Sequence, residues 1–142
     1  AGSRSGSVCG DPLLIGAMKT VRPSLGVTPQ NFVQRASIAA WGDESHVEAM
    51  RERYALARQI MTAPLEAAGL TPVGGSASFF LWCKVEGDGD DQAAARRVLD
   101  AGVLVAPGRI FGPGGEGYVR VALVPPIDQC ESAAAALLEL GQ

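Results

Sequence analysis

One histidine, three cysteines and two lysines among 142 residues leave this sequence few of the groups from which catalytic and metal sites are built. Cys9, Cys83 and Cys130 are odd in number, far apart and without Cys-x-x-Cys spacing or a neighbouring histidine, which argues against a disulfide framework and against zinc. They predict free thiols in a reduced, cytoplasmic setting. Positive charge is also scarce: 12 Lys and Arg against 15 Asp and Glu give a net charge of -3, and no basic run occurs. Without such a run there is nothing to neutralise a phosphate backbone, so nucleic acid is excluded as a partner. No apolar stretch has the length of a membrane span, and the first residues lack the charged-then-apolar order of a signal peptide, so no membrane association is expected. What is abundant is apolar: 47% hydrophobic and 19% charged residues suit a chain of one-domain length with a real core.

The opening "AGSRSGSVCGDP" has two readings. Gly-Ser-Arg-Ser-Gly has the composition of a linker or vector remnant, whereas the run from Arg4 to Gly10 reads as a short strand ending at Asp11-Pro12. Pro12 then opens a helix through Lys19, and Thr28 with Pro29 signals another, running to Trp41. From Val47 the pattern is clear. Val47, Met50, Tyr54, Ala57, Met61, Leu65 and Ala68 recur at helical spacing, with a kink expected near Ile60 from Pro64 and a stop at Gly69. A strand over Phe79 to Val85 follows. Asp90 or Asp91 then caps a helix to Gly102. "VLVAPG" reads as a buried strand, "GRIFGPGGEG" as a shaped loop and "YVRVALV" as another strand. After Pro125-Pro126 a last helix shows Asp128 and Glu131 at capping-box spacing, with Ala134, Leu137 and Leu138 inward. The order predicts an α+β fold, a small sheet with packed helices.

Each candidate site has a plainer competitor. "GDGDD", Gly87 to Asp91, clusters carboxylates but lacks the spacing of a calcium loop, and it reads as a turn plus helix cap. "GRIFGPGGEG" is followed by a strand rather than a helix, which removes phosphate-loop chemistry. His46 lies in a polar run at a helix start with no nucleophile recognisably beside it, which suits a surface or capping role. No metal site is expected. Arg120 is different: alternation in "YVRVALV" puts Val119, Val121 and Leu123 on one face and a guanidinium on the other, in a strand that reads as buried on both sides. A guanidinium fork there requires a carboxylate, and charge alone leaves an internal Asp or Glu and a ligand carboxylate both open.

Together, "AGSRSG", the helix ending in "LEAAGL", then "SFFLW", "VAPGRIFG" and "YVRVALVPP" resemble, in order and over nearly the whole chain, the C-terminal portion of fold-type-I pyridoxal-phosphate aminotransferases of class I and II. The wording is most similar to bacterial N-succinyldiaminopimelate aminotransferases. The resemblance implies a homodimeric, cytoplasmic transferase of lysine biosynthesis that moves an amino group between an amino acid and a 2-oxo acid. It implies that residues 1-46 are the end of a large cofactor-binding α/β domain and residues 47-142 the small C-terminal domain of the pyridoxal-phosphate-dependent transferase fold. Gly2-Ser3-Arg4-Ser5-Gly6 matches the family's Gly-x-Arg-x-Gly segment, so Arg4 is implied as the ligand of the cofactor phosphate and Arg120 as the clamp of the substrate carboxylate. The lysine that forms the Schiff base precedes that segment in the family, which places it upstream of Ala1. Lys19 and Lys84 do not match its motif, so the chain alone is expected to be inactive. From a different class, a free-standing α+β module holding a small carboxylate on Arg120, or an interaction domain in which Arg120 is paired internally, is the alternative.

Overall fold

The computed structural model describes residues 4-26 and 28-141, and these divide into two compact units, Ala1–Val47 and Glu48–Gln142. In the first unit, Asp11 accepts hydrogen bonds from the backbone N–H of Leu13 at 2.8 Å and of Leu14 at 3.4 Å, and Pro12 occupies the first turn of α1, Pro12–Val21. These are the ordinary devices for starting a helix. Residues 4-10 form no strand, contrary to the sequence reading. A strand exists only when neighbours take up its backbone N–H and C=O groups, and apolar composition cannot supply them. The helix α2, Asn31–Trp41, begins later than the Thr28-Pro29 signal suggests. Gln30 holds the N-cap position in extended geometry without a side-chain bond, and Gln34 Nε2 reaches back to the Pro29 carbonyl at 2.8 Å. Both helices keep large apolar side chains exposed, among them Leu13, Leu14, Phe32 and Ile38.

The helix α3 runs from Ser45 to Ala67, starting where Asp43 Oδ1 accepts from the Ser45 backbone N–H at 3.0 Å and hydroxyl at 2.7 Å. Its helical stripe is the predicted one, with Ala57, Met61, Leu65 and then Ala68 buried. Gly69, at φ 72°, ends it, and Arg97 Nη2 donates to the Ala68 carbonyl at 2.6 Å. The left-handed conformation suits glycine, and the guanidinium satisfies a carbonyl at the helix end.

Among the described residues four antiparallel strands follow: β1 Leu70–Val73, β2 Phe80–Val85, β3 Ala106–Pro107 and β4 Tyr118–Ala122, in the spatial order β1-β2-β4-β3. Between β2 and β3 lies α4, Asp91–Asp100, and α5, Ile127–Leu140, follows β4. The strand β1 is not apparent in the sequence because Pro72 interrupts it, yet at a sheet edge a missing N–H costs no ladder bond. The "VLVAPG" run is mostly not strand: Val103 and Val105 are buried, Leu104 is 81% exposed, and only Ala106 and Pro107 pair with β4.

One face of the sheet carries Leu70, Leu81, Cys83, Val85, Val119 and Val121, which form the core with Met61 and Leu65 of α3, Val98 of α4 and Leu137 of α5. Leu138 is 45% exposed, so the inward face of α5 is Cys130, Ala134 and Leu137. The capping box is absent too. The helix starts at Ile127 with Pro126 as N-cap, so Asp128 already lies within its first turn, where a negative charge favours the helix dipole but cannot cap.

Candidate functional site

The opposite face of the sheet is where polar chemistry gathers. Along β2 and β4 alternation turns Phe80, Trp82, Tyr118 and Arg120 away from the core, and the register sets Arg120 opposite Trp82 on one side and Ala106 on the other. Arg120 is half-buried and Ala122 exposed, so β4 is covered by helices on one face only; this corrects the expectation of burial on both sides. The guanidinium carbon of Arg120 lies 4.1 Å from the ring centroid of Phe80 and 4.3 Å from that of Phe111. Trp82 stacks on Tyr118 at 5.8 Å and 19° and meets Phe111 edge-on at 5.7 Å, which extends the aromatic platform along the sheet. Among the described residues no carboxylate lies within ion-pairing distance of Arg120.

Two rings against a guanidinium are attractive by about 0.5–1 kcal/mol each, more where water is excluded. With no carboxylate paired to it among the described residues, the guanidinium keeps N–H donors for a planar acceptor, and its fork matches a bidentate carboxylate.

Phe111 comes from a tightly folded segment between β3 and β4, made of two 3₁₀ turns, Gly108–Phe111 and Pro113–Gly115. Gly108 and Gly115 are buried against each other, so closely that a Cβ on Gly108 would stand 2.0 Å from the Gly115 oxygen and one on Gly115 at 2.0 Å from the Gly108 oxygen. The segment is tied to α4 by Asp91, which is fully buried. Asp91 Oδ2 accepts from the Arg109 backbone N–H at 2.9 Å, and its Oδ1 accepts from Arg109 Nε at 2.8 Å and from Nη2. These bonds hold the Asp91 carboxyl below its ordinary range. Capping is left to Asp90, whose Oδ1 accepts from the N–H groups of Gln92 at 3.0 Å and Ala93 at 3.1 Å. The pairing of Asp91 with Arg109 is not apparent in the sequence; the only signal for it is an arginine isolated in a glycine-rich loop.

Arg4 belongs to the first unit, exposed, with φ 51° and no carboxylate partner among the described residues. Close by in that unit the Ser37 hydroxyl lies 2.7 Å from that of Ser5 and 2.8 Å from the Val33 carbonyl. Gly2 and Ser3 of the same motif lie outside the described residues. His46 is exposed, 3.7 Å from Asp43, and the bonds from Ser45 hold the Asp43 carboxyl low. Burial pushes the Cys83 thiol up to about 12, which disfavours its thiolate near neutral pH, and burial moves the Cys130 thiol upward as well. Among the described residues no group of three His, Cys, Asp or Glu side chains could hold a metal ion, and no helix is long and apolar enough to cross a membrane. A groove of about 510 Å³ beside α5, lined by Met61, Leu104, Val121, Cys130 and Ala133, carries no charged side chain and does not include Arg120.

Compared with known proteins, residues 1-137 match the family described as aminotransferase class I and II. A 4-dedimethylamino-4-oxo-anhydrotetracycline transaminase, OxyQ, of Streptomyces rimosus is 39% identical over 137 residues, which is 96% of this chain and 38% of that protein. Among solved structures, an aminotransferase of Neisseria meningitidis superposes with a TM-score of 0.83 at 39% identity, covering 99% of this chain and 37% of the other. A probable N-succinyldiaminopimelate aminotransferase of Thermus thermophilus has a TM-score of 0.81 at 28% identity, covering 92% and 36%. The chain thus spans little more than a third of the length of the relatives it matches.

Proposed function

Because the chain belongs to the class I and II aminotransferase family, we propose that it forms part of an enzyme that transfers an amino group between an amino acid and a 2-oxo acid with pyridoxal 5'-phosphate. In this reading residues 47-142 are the small domain, residues 1-46 belong with the large one, and the enzyme works as a homodimer in the cytoplasm. The observation that carries it is Arg120: a guanidinium whose carbon lies 4.1 and 4.3 Å from the ring centroids of Phe80 and Phe111, half-buried, and without a carboxylate of its own among the described residues. A clamp already saturated by a protein carboxylate would have to break that pair to bind substrate, so its freedom supports a role on the substrate α-carboxylate.

The residues present also fit the cofactor. Arg4 is an exposed cation with no carboxylate partner among the described residues, next in sequence to the hydroxyl of Ser5, a donor set suited to a phosphate dianion. When bound, the cofactor supplies an electron sink for the bond-breaking at the amino-acid α-carbon. Arg4 holds its phosphate end, and Arg120 orients the substrate by its carboxylate so that the α-carbon is presented in one pose. Lys19, in the last turn of α1, and Lys84, exposed on β2, take no part. N-succinyldiaminopimelate with glutamate is the substrate pair this reading puts first.

The test is Arg120→Leu in the complete enzyme. Loss of charged hydrogen bonds worth about 1.5–3 kcal/mol each should lower kcat/KM for amino acids by about 10- to 150-fold per bond. Cofactor affinity should hold, and because no carboxylate is stranded the loss of stability should stay near the roughly 1–2 kcal/mol of the two cation–ring contacts. Unchanged kcat/KM would refute the assignment.

A further inference from the structure

We infer that Asp91 is a positioning residue for Arg120: by tying the turn Gly108–Phe111 to the start of α4 it sets Phe111 over the Arg120 guanidinium and so fixes the plane in which that group meets a carboxylate. The inference rests on the clamp role of Arg120 for its functional half and on geometry alone for its structural half.

Arg120 meets two rings of different origin. Phe80 is part of β2 and is held by the sheet ladder, opposite Ala122. Phe111 has no such support: it ends a four-residue 3₁₀ turn, it is 46% exposed, and its ring meets Trp82 edge-on and carries the Arg120 guanidinium over it at 4.3 Å. Exposed turns of this size hold their shape poorly unless something pins them. The pin is Asp91. It is the one fully buried charged side chain among the described residues, and its bonds all go to Arg109, two residues before Phe111.

The bond to the Arg109 backbone N–H is the informative one. A carboxylate that served only to neutralise a guanidinium would have no need of the backbone, whereas a bond to a main-chain N–H fixes the position of the turn. Arg109 keeps its outer edge in solvent and reaches Asp90 at 3.6 Å, so it is held in one rotamer by two carboxylates. The close approach of Gly108 and Gly115 removes the remaining freedom of the segment. A displacement of Phe111 would leave Arg120 stacked on one ring only, free to rotate about its terminal torsions, and a misaligned fork loses its second hydrogen bond.

Two measurements separate the halves. In the full chain, proton NMR signals of the Arg120 δ and ε positions should carry upfield ring-current shifts from both rings. Phe111→Leu should remove the part due to Phe111. Asp91→Asn should move the same signals in the same direction, and the double variant should add little to Phe111→Leu, as coupled residues do. Where Asp91→Asn does not fold, Arg109→Gln is read in its place. Arg120 signals that stay in their wild-type positions in a folded variant would overturn the positioning role. In the complete enzyme, Asp91→Asn should raise KM for the amino acid about tenfold with kcat changed less than about twofold. A merely destabilising substitution would instead lower the active fraction, hence kcat, with KM unmoved, and that result would also overturn the proposal. Shifted Arg120 signals with both constants unchanged would leave the geometry standing and refute the clamp assignment.

Discussion

Gly108 offers the sharpest test of the segment that carries Phe111. An alanine there would place its Cβ 2.0 Å from the Gly115 oxygen, 2.7 Å from the Tyr118 oxygen and 3.0 Å from the Gly115 carbonyl carbon. All three are backbone atoms, and separations below 3.0 Å are essentially never seen for a real Cβ. No rotamer change can relieve the clash; the two 3₁₀ turns must separate by about an ångström. Tyr118 is part of β4, so movement on that side would also strain the sheet. Overpacking of this kind costs about 1–3 kcal/mol, and a collision with main chain belongs at the upper end. With about 4–8 °C of Tm per kcal/mol for a unit of this size, Gly108→Ala should lower Tm by about 10 °C or more. Gly114→Ala is the matched control, since nothing lies within 4 Å of its added Cβ, and should leave Tm nearly unchanged. Thermal unfolding followed by circular dichroism reads both. Equal melting of the two variants would refute the packing described for this segment.

Leu65 is fully buried in the core, so Leu65→Ala should cost about 2–5 kcal/mol in denaturant unfolding, whereas the same change at Leu104, 81% exposed, should cost little. Among the thiols, exposed Cys9 should react with a thiol reagent in mildly alkaline buffer without delay, while Cys83, buried and pushed up to about 12, should react only as the fold opens; prompt modification of Cys83 would contradict its place in the core. The carboxyl of Asp91 is lowered from 3.8 in the folded chain, so the native state binds fewer protons there than the unfolded one. Its contribution should be complete above pH 3.8 and be lost as pH falls through the lower native value, and Asp91→Asn should flatten that limb of the stability curve.

The helices and their stripes were legible because they are written locally. A side chain every third or fourth position suffices to place Ala57, Met61 and Leu65 on one face, and Asp11-Pro12 and Asp90 carry their caps in adjacent residues. The strands were legible only where a run was long and alternating, as at Phe80–Val85 and Tyr118–Ala122. Where a strand is made by its neighbours rather than by its own composition, sequence misled in both directions: Leu70–Val73 forms around a proline, and residues 4-10 form none.

At the site, the sequence by itself determined that Arg120 stands on the face opposite Val119 and Val121, since alternation in a strand admits nothing else. Its order of motifs was enough to identify the family. Only the tertiary structure decided what surrounds that arginine. Phe80 and Phe111 lie on separate elements far apart in the chain, yet their ring centroids lie 4.1 and 4.3 Å from one guanidinium carbon, and Asp91 meets Arg109 across 18 residues. A guanidinium, an aromatic ring and a carboxylate each accept several partners in a sequence. Which of them meet is set by the strand register and the path of a turn, and both arise from the packing of the whole unit.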